Sequence, residues 1–259
     1  QIAELTRFYR LPREALPMHA LTAPGVWDAL LEHMPMTAMI RNLATMTRVG
    51  LLAPMSNAAH TVCERLADTE RLRKARVHPI QVLAALVTYA SGGQAGRSRG
   101  EPYQPVAQVV DALDAAFYTT FGNVTPTGKR TLLALDVSSS MMSGEVSGVP
   151  GLSSALGATA MALITANVEP NYEIMGFAHE FRPLAISPGQ RLDDAMRTAY
   201  GHGFGGTDCA LPMLWAQSKA RHVDTFVIYT DSETWAGQVH PTVALADYRR
   251  GFPGARLAV

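Results

Sequence analysis

The stretch that decides the fold lies at residues 131–140 and has the sequence TLLALDVSSS. Its apolar beginning, residues 131–135, is typical of a strand that is buried on both faces of a parallel sheet. Asp136 ends the apolar run, and Ser138 and Ser140 follow at alternate positions. Because alternate side chains of an extended segment point the same way, these three residues can share one site.

The residues on the C-terminal side alternate between extended and helical patterns. Further strands are predicted over 172–177 and 225–229, and another opens at Leu257. Helices are predicted over 152–167, 192–199, 210–220 and 242–250. Apolar strands that alternate with helices predict a parallel, doubly wound sheet, in which ligands bind beyond the carboxyl ends of the strands.

The first half of the chain has a different pattern, which is helical throughout residues 1–128. Clear examples are the segments 35–48, 57–67, 79–89 and 106–121. In the first segment, the side chains with helical spacing that would face a core are Met36, Met39, Ile40, Leu43 and Thr47. Short helices without strand patterns predict a stack of helical hairpins over 1–128, followed by an α/β domain over 129–259.

The composition excludes several classes of protein. The 259 residues include 22 basic and 22 acidic side chains, and 47% are hydrophobic, which excludes a disordered tail, a collagen-like chain and a basic nucleic-acid-coating arm. The two cysteines, Cys63 and Cys209, indicate a reducing compartment, and we expect a cytoplasmic protein. No apolar run is long enough for a membrane span. Because the chain starts with Gln and stops as a strand opens, we expect a fragment of a longer protein.

Two further segments carry oxygen ligands that can join the first three. Residues 205–208, Gly-Gly-Thr-Asp, offer the hydroxyl of Thr207, and Asp231 follows the strand 225–229. Two carboxylates and three hydroxyls favour a hard cation, with Mg²⁺ the best fit, and leave an open position for an acidic group of a partner. Alternatively, the Asp and Ser side chains cap helices and the glycine pair forms a turn.

This arrangement resembles the von Willebrand factor A domain, a Rossmann-like fold, and its metal-ion-dependent adhesion site. The resemblance implies that one magnesium ion, or another divalent cation, is surrounded by Asp136, Ser138, Ser140, Thr207 and Asp231.

Longer strings resemble one family over nearly the whole chain. They are MPMTA at 34–38 with RNL at 41–43, KARVHP at 74–79, ALDAAFY at 112–118, PTGKR at 126–130, GGTDCALPM at 205–213 and TDSET at 230–234. These strings are similar to those of the Ro autoantigen family, the TROVE-domain RNA-binding proteins. The resemblance implies a HEAT-like helical-repeat ring closed by a von Willebrand A domain.

The same resemblance implies a function in RNA quality control. The family binds small noncoding Y RNAs on the outside of the ring and single-stranded 3′ ends of misfolded RNAs in its central hole. Expected partners are therefore noncoding RNA and an exoribonuclease or other protein at the metal site, but neither DNA nor a membrane. We expect the chain to depart from the family in holding only the later part of the ring and in lacking the last strand and helix of the A domain. The family's Y RNA surface lies largely in the earlier helices, so its contacts are not transferred.

Phosphate contacts require exposed cationic side chains. The candidates are Arg41, Arg48, Lys74, Arg76, His78, Arg97, Arg99, Lys129 and Arg130. Each has a structural alternative: a solvated helix face, a cation at a helix C-terminus, a junction between the two halves or, for His78, a helix start. Stacking of bases on Trp27, Phe117 or Tyr118 competes with core packing, which their apolar surroundings favour.

Three classes of function follow. The first is an RNA-binding protein of the Ro type, and the alternative is a magnesium-dependent adhesion module that recruits an acidic residue of a partner. An enzyme is not expected, because hydroxyls outnumber carboxylates at the metal site and neither a GxSxG motif nor a P-loop is present.

Overall fold

The structure, a computed structural model, describes residues 1–94, 101–201, 206–231 and 236–259. The chain divides into two compact units. The first, the helical unit, comprises Gln1–Val124 and Val149–Gly151, and the second, the α/β unit, comprises Thr125–Gly148 and Leu152–Val259. Among the described residues, no helix combines the length and the apolar character needed to cross a bilayer.

The helical unit confirms the predicted helical first half. Its α-helices within the described residues are α1 (Ile2–Tyr9), α2 (Pro24–His33), α3 (Met36–Arg48), α4 (Asn57–Ala67), α5 (Thr69–Lys74), α6 (Pro79–Ala90) and α7 (Ala107–Thr119). Helix α1 packs against α2, α6 packs against α7, and α4 also packs against α7. The short helix α5 lacks the apolar spacing of its neighbours and was not predicted as a separate element.

Helix α3 shows why these segments are helical. Met39, Leu43 and Met46 recur at helical spacing and are almost completely buried, whereas Arg41 on the other face is exposed. Three helices also begin at side chains that accept a hydrogen bond from the first turn: Ser56 before α4, Asp68 before α5 and His78 before α6. The predicted role of His78 as a helix start is thereby confirmed.

The α/β unit contains a five-stranded sheet in the order β3-β2-β1-β4-β5. Its strands are β1 (Thr131–Asp136), β2 (Tyr172–Phe177), β3 (Phe181–Pro183), β4 (Thr225–Tyr229) and β5 (Arg256–Ala258). Its helices are α8 (Ser140–Ser143), α9 (Ser154–Val168), α10 (Leu192–Tyr200), α11 (Leu211–Ser218) and α12 (Pro241–Gly251). The observed ends of the predicted strands and helices lie within two residues of their predicted positions.

The sheet is mixed, which corrects the predicted all-parallel arrangement. Strands β2, β1, β4 and β5 are parallel, but β3 pairs antiparallel with β2. Only residues 178–180 separate β2 from β3, and so short a connection can form a hairpin but cannot cross over to a parallel neighbour. A strand of three residues is too short to give an alternating pattern, so the sequence did not reveal it.

The centre of the sheet fixes the position of the candidate metal site. All six residues of β1 are buried, and β1 pairs with β2 on one side and with β4 on the other. One face packs against α11 and α12 through a core that includes Phe177, Phe226 and Tyr248. Because β1, β2 and β4 run parallel, the residues that follow them meet at the same edge of the sheet, which we call the carboxyl edge.

Candidate metal centre and nucleic-acid interface

Asp136 ends β1 and is completely buried. One carboxylate oxygen, Oδ1, accepts a hydrogen bond from the main-chain N–H of Ser138 at 2.9 Å. The other, Oδ2, accepts one from the hydroxyl of Thr230, beyond the end of β4, at 2.8 Å. The two bonds orient the carboxylate between the loops that follow two neighbouring strands.

The two serine side chains of the first motif lie side by side. The Oγ atoms of Ser138 and Ser140 are 3.0 Å apart, with Ser138 buried and Ser140 half-buried at the start of α8. The structure therefore brings the two serine hydroxyls together as predicted, but through the turn before α8, in which Ser139 is in the αR conformation, rather than through an extended segment.

Asp231 supplies the test of whether a cation fits this edge. Its Oδ1 atom is buried and has no hydrogen-bond partner within the described part of the chain. A buried carboxylate oxygen without a donor costs about 1–3 kcal/mol or more, so such groups normally have a partner. A cation coordinated by this oxygen would satisfy it, and the oxygen-only donor set suits a hard ion.

Tyr200, at the end of α10, contacts the end of β1. Its hydroxyl donates a hydrogen bond to the main-chain oxygen of Asp136 at 2.9 Å. Burial raises the pKa of its phenol, and the negative charges of Asp136 and Asp231 raise it further. The hydrogen bond places the end of α10 against the end of β1. Tyr200 was not predicted as a site residue, because an aromatic residue at a helix end carries no signal of such a contact.

The Gly-Gly-Thr-Asp segment lies at the same edge and is described from Gly206 onward. Thr207 is buried, and its main-chain oxygen accepts a hydrogen bond from the N–H of Ala236 in the loop after β4. The main-chain N–H of Asp208 donates to the oxygen of Ala178, which follows β2. These main-chain bonds hold Thr207 between the loops that follow β2 and β4.

Asp208 supplies the carboxylate of this segment, is buried, and was not predicted as a site residue. Its Oδ1 accepts a hydrogen bond from the N–H of Ala210 at 2.9 Å, one residue before α11 begins. Gly237, in the loop after β4, has a φ of +88°, and a Cβ atom built there would overlap the Asp208 carboxylate. The loop after β4 therefore rests directly on this side chain, and only glycine fits at position 237 without displacing it.

The donor set depends on hydroxyls as well as carboxylates. Within the described residues, no three His, Cys, Asp or Glu side chains gather in a group that could hold a metal ion. A cation at this edge would therefore be held by the carboxylates of Asp136 and Asp231 together with the hydroxyls of Ser138, Ser140 and Thr207. That combination fits Mg²⁺ better than Zn²⁺, which prefers nitrogen and sulfur ligands.

The candidate phosphate contacts fall into two groups. Arg41, Lys74, Arg76 and Lys129 are exposed, and none of them forms an ion pair with a carboxylate in the described part of the chain. The other candidates in the described ranges, Arg48, His78 and Arg130, have partners within the protein. Arg97 and Arg99 lie outside the described residues.

Three candidates are already engaged. Arg48 donates from Nε to the main-chain oxygen of Glu101 at 2.7 Å, and its guanidinium lies 4.9 Å from the ring centre of Tyr103. Arg130 makes a bidentate ion pair with Asp224, in which Nε donates to Oδ2 at 2.9 Å and Nη2 donates to Oδ1 at 2.7 Å. The Nδ1 atom of His78 accepts the N–H of Ile80, and burial lowers the pKa of this imidazole, which favours its neutral form.

The candidate stacking aromatics belong to the core of the helical unit. Trp27 is completely buried and donates from Nε1 to the oxygen of Leu21 at 2.8 Å. Phe117 is also buried and packs edge-on against Tyr118 and Phe121, with ring centres 4.9 and 5.0 Å apart. These contacts support core packing over base stacking.

Comparisons with known proteins cover both units. A family model described as the Ro60 vWA domain matches residues 130–259, and a TROVE domain model matches residues 11–90. A curated protein of Deinococcus radiodurans, named RNA-binding protein RO60, is 51% identical over 247 residues, which are 95% of this chain and 46% of that protein. Its namesake in Caenorhabditis elegans is 44% identical over 253 residues, which are 96% of this chain and 38% of that protein.

A solved structure agrees with these matches. The crystal structure of the Deinococcus radiodurans RO (RSR) protein superposes with a TM-score of 0.91 at 48% sequence identity, covering 98% of this chain and 51% of that one. The chain thus spans about half the length of this structure and less than half of the two curated relatives.

Proposed function

Because the chain belongs to the Ro60 family of TROVE-domain and von Willebrand A proteins, as its sequence strings indicate, we propose that it is an RNA-binding protein. The observation that carries the proposal is the 51% identity, over 95% of the chain, with a protein named for RNA binding. The relatives are named as binding proteins rather than enzymes, so we propose a binding role without catalysis.

The helical unit offers the cations that RNA requires. Lys74 and Arg76 lie at the end of α5 and just after it, are exposed, and have no carboxylate partner among the described residues. Their neighbours Arg71 and Arg73 are paired with Asp68 and Glu70. Unpaired guanidinium and ammonium groups can bind phosphate without first breaking an ion pair, so Lys74 and Arg76 are the strongest phosphate contacts, with Arg41 next.

The family resemblance extends this proposal to the kind of RNA. We propose small noncoding RNAs of the Y type and single-stranded 3′ ends of misfolded RNAs, in an RNA quality-control role in the cytoplasm. The chain spans about half of the RO structure, so these RNAs are proposed as ligands for a protein of the relatives' full length rather than for this region alone. An exoribonuclease is the partner that such a role implies.

The carboxyl edge supports a second proposal, which concerns a metal ion. We propose that Asp136, Ser138, Ser140, Thr207 and Asp231 hold Mg²⁺ or another divalent cation. The supporting observation is the buried Oδ1 of Asp231, which has no donor within the described residues. When bound, the ion supplies positive charge and an open coordination position for an acidic group of a protein partner. An adhesion module of this kind is the alternative function, and it is compatible with RNA binding by the helical unit.

One titration tests RNA binding and whether that binding depends on the metal ion. A structured RNA with a single-stranded 3′ tail is titrated with the chain at several salt concentrations, with Mg²⁺ or with EDTA. We expect the affinity to fall steeply with salt, to require the tail and to survive EDTA. Loss of binding in EDTA would contradict a separate RNA site, and absence of binding at low salt would refute RNA binding by this region.

A matched pair of variants locates the RNA surface. The double variant Lys74→Gln with Arg76→Gln removes two unpaired charges, and the control, Arg71→Gln with Arg73→Gln, removes two paired charges from α5. We expect the double variant to weaken RNA binding and the control to leave it nearly unchanged. Equal effects would show that only the total charge of the helix counts.

A further inference from the structure

A cavity of about 290 Å³ opens in the helical unit, and none of its lining residues belongs to α5. It lies between the loop that follows α1, the C-terminal half of α2 and the first half of α3. Its size is near the lower limit of small-molecule sites, which suits one compact ligand rather than a helix or a strand.

The floor of the cavity is apolar. Leu11, Leu30, Met34, Pro35 and Ala38 contribute to its lining. Such a floor favours a flat, weakly hydrated group, as in most ligand pockets. A nucleobase is a group of this type, and its faces stack on apolar and aromatic side chains.

The exposed part of the lining, which we call the rim, carries charged side chains that form no ion pair with a described residue. Arg10, Arg13 and Glu14 line the opening and are exposed, and none of them forms an ion pair in the described part of the chain. The neighbouring Arg7 behaves differently, because it pairs with both Asp28 and Glu32. Two arginines and one glutamate are thus available for a ligand while a fourth charged residue nearby is held by the fold.

Two contacts fix the rim and the wall. The guanidinium of Arg13 lies 5.9 Å from the ring centre of the buried Trp27, which limits its movement. Asn42 lines the wall and donates from Nδ2 to the main-chain oxygen of Ala38 at 2.8 Å, so its amide is held in place. Preorganised polar groups lose less entropy on binding than free side chains do.

We propose that this cavity binds one nucleotide of a single-stranded RNA. The base lies on the apolar floor, the phosphate is bound by Arg10 and Arg13, and the base edge is read by Glu14 and Asn42. The proposal rests on the proposed RNA binding. It specifies a single nucleotide as the part of the RNA that this cavity of the helical unit recognises. A carboxylate accepts hydrogen bonds, so Glu14 favours a base that presents adjacent N–H donors, as the Watson–Crick edge of guanine does.

The direct test uses the whole chain and small probes. Guanosine 5′-monophosphate, guanosine and inorganic phosphate are titrated separately by calorimetry and by nuclear magnetic resonance of the backbone amides. We expect saturable binding of the nucleotide with shifts at Leu11, Ala38 and Asn42, and binding about tenfold weaker or more for each half alone. Equal binding of phosphate alone, or shifts confined to other residues, would overturn the proposal.

A filling variant with a matched control tests the location. Ala38→Leu places extra side-chain atoms in the cavity at a helical position, and Ala115→Leu makes the same change on an exposed position of α7. Leucine is a good helix former, so circular dichroism should show both variants folded. We expect Ala38→Leu to weaken nucleotide binding about tenfold and Ala115→Leu to have no effect. Equal affinities for the two variants would place the nucleotide elsewhere.

The same variants separate this inference from RNA binding itself. If Ala38→Leu binds the tailed RNA as well as the unchanged chain does, and that RNA binding depends on Lys74 and Arg76, the proposed function stands and the nucleotide site is refuted. If the chain binds the nucleotide at the cavity but no tailed RNA, the cavity is a site for a free nucleotide, and both the RNA proposal and its extension to this cavity are refuted.

Discussion

The carboxyl edge of the sheet and the basic surface of the helical unit differ in how their side chains are held. At the edge, Asp136 is buried and receives two hydrogen bonds from within the fold. On the helical unit, Lys74 and Arg76 are exposed and have no ion-pair partner among the described residues. A site for a small ion must be formed before the ion arrives, whereas a surface for a flexible polyanion requires only available charge.

The largest effect that separates the two regions should come from Asp231→Asn. The change removes the charge of the unpaired carboxylate, and we expect divalent-cation affinity to fall about 100-fold or more. The cation-free protein should become more stable by roughly 1 kcal/mol, because a neutral amide is cheaper to bury than an unpaired carboxylate. Calorimetry with Mg²⁺ and urea unfolding in EDTA measure the two effects.

The exposed Asp193→Asn on α10 is the control for that change, and it should alter neither quantity. RNA binding should be the same in both variants. A fall in RNA affinity with Asp231→Asn would mean that the carboxyl edge contributes to RNA binding and that the two regions are not separate sites.

The next effect concerns the loop that rests on Asp208. Gly237→Ala places a Cβ atom in the Asp208 carboxylate and strains a positive φ, so we expect a loss of about 3 kcal/mol of unfolding free energy. Gly148 has a similar φ of +81° but no neighbouring atom within 4 Å, so Gly148→Ala should cost only about 1 kcal/mol. Chemical unfolding gives the unfolding free energy of each variant. The difference between the two values is the cost of the overlap with Asp208, because both variants carry the cost of a positive φ.

A smaller effect is expected on the helical unit. Replacing Lys74 and Arg76 together by Gln should weaken RNA binding about tenfold. The slope of the logarithm of the binding constant against the logarithm of the salt concentration should fall by about two, because two phosphate contacts are lost, and cation binding should be unchanged. Fluorescence anisotropy at four salt concentrations measures both the affinity and the slope. A weaker affinity with an unchanged slope would mean that the two side chains support the fold rather than contact phosphate.

The smallest effect should come from Arg130, a candidate phosphate contact that the fold already uses. The side-chain hydrogen bond from Arg130 to Asp224 holds the pKa of that carboxyl well below its usual range. A lowered carboxyl pKa stabilises the fold above the unfolded pKa of about 3.9, and this contribution is lost as the pH falls through the folded pKa. Arg130→Gln should therefore reduce stability at neutral pH, by an amount that disappears in acid.

Urea unfolding between pH 2 and pH 7 measures this difference, which should be modest because both side chains are partly exposed. Arg250→Gln, which removes an exposed partner of Asp247, is the control. If Arg130→Gln instead weakens RNA binding as strongly as the loss of Lys74 and Arg76 does, Arg130 leaves its ion pair with Asp224 and contacts the RNA.

The two regions also differ in how far sequence could predict them. The ends of β1 and β4 were predictable, because strand spacing fixes where Asp136 and Asp231 lie. The engagement of Arg48 and Arg130 was not, since their partners Glu101 and Asp224 are 53 and 94 residues away along the chain. Tyr200 reaches Asp136 over 64 residues, and β3 depends on hairpin pairing with β2 rather than on its own pattern.

Asp208 has a consequence for the motions of the carboxyl edge. Its main chain is bonded to Ala178 after β2, its carboxylate holds the N–H of Ala210 before α11, and Gly237 of the loop after β4 lies against it. Three segments that are distant in sequence therefore contact the same residue, and we expect them to open as one unit. The amide hydrogens of Asp208, Ala210 and Ala236 should exchange with solvent as a single cooperative unit, with one opening free energy for all three.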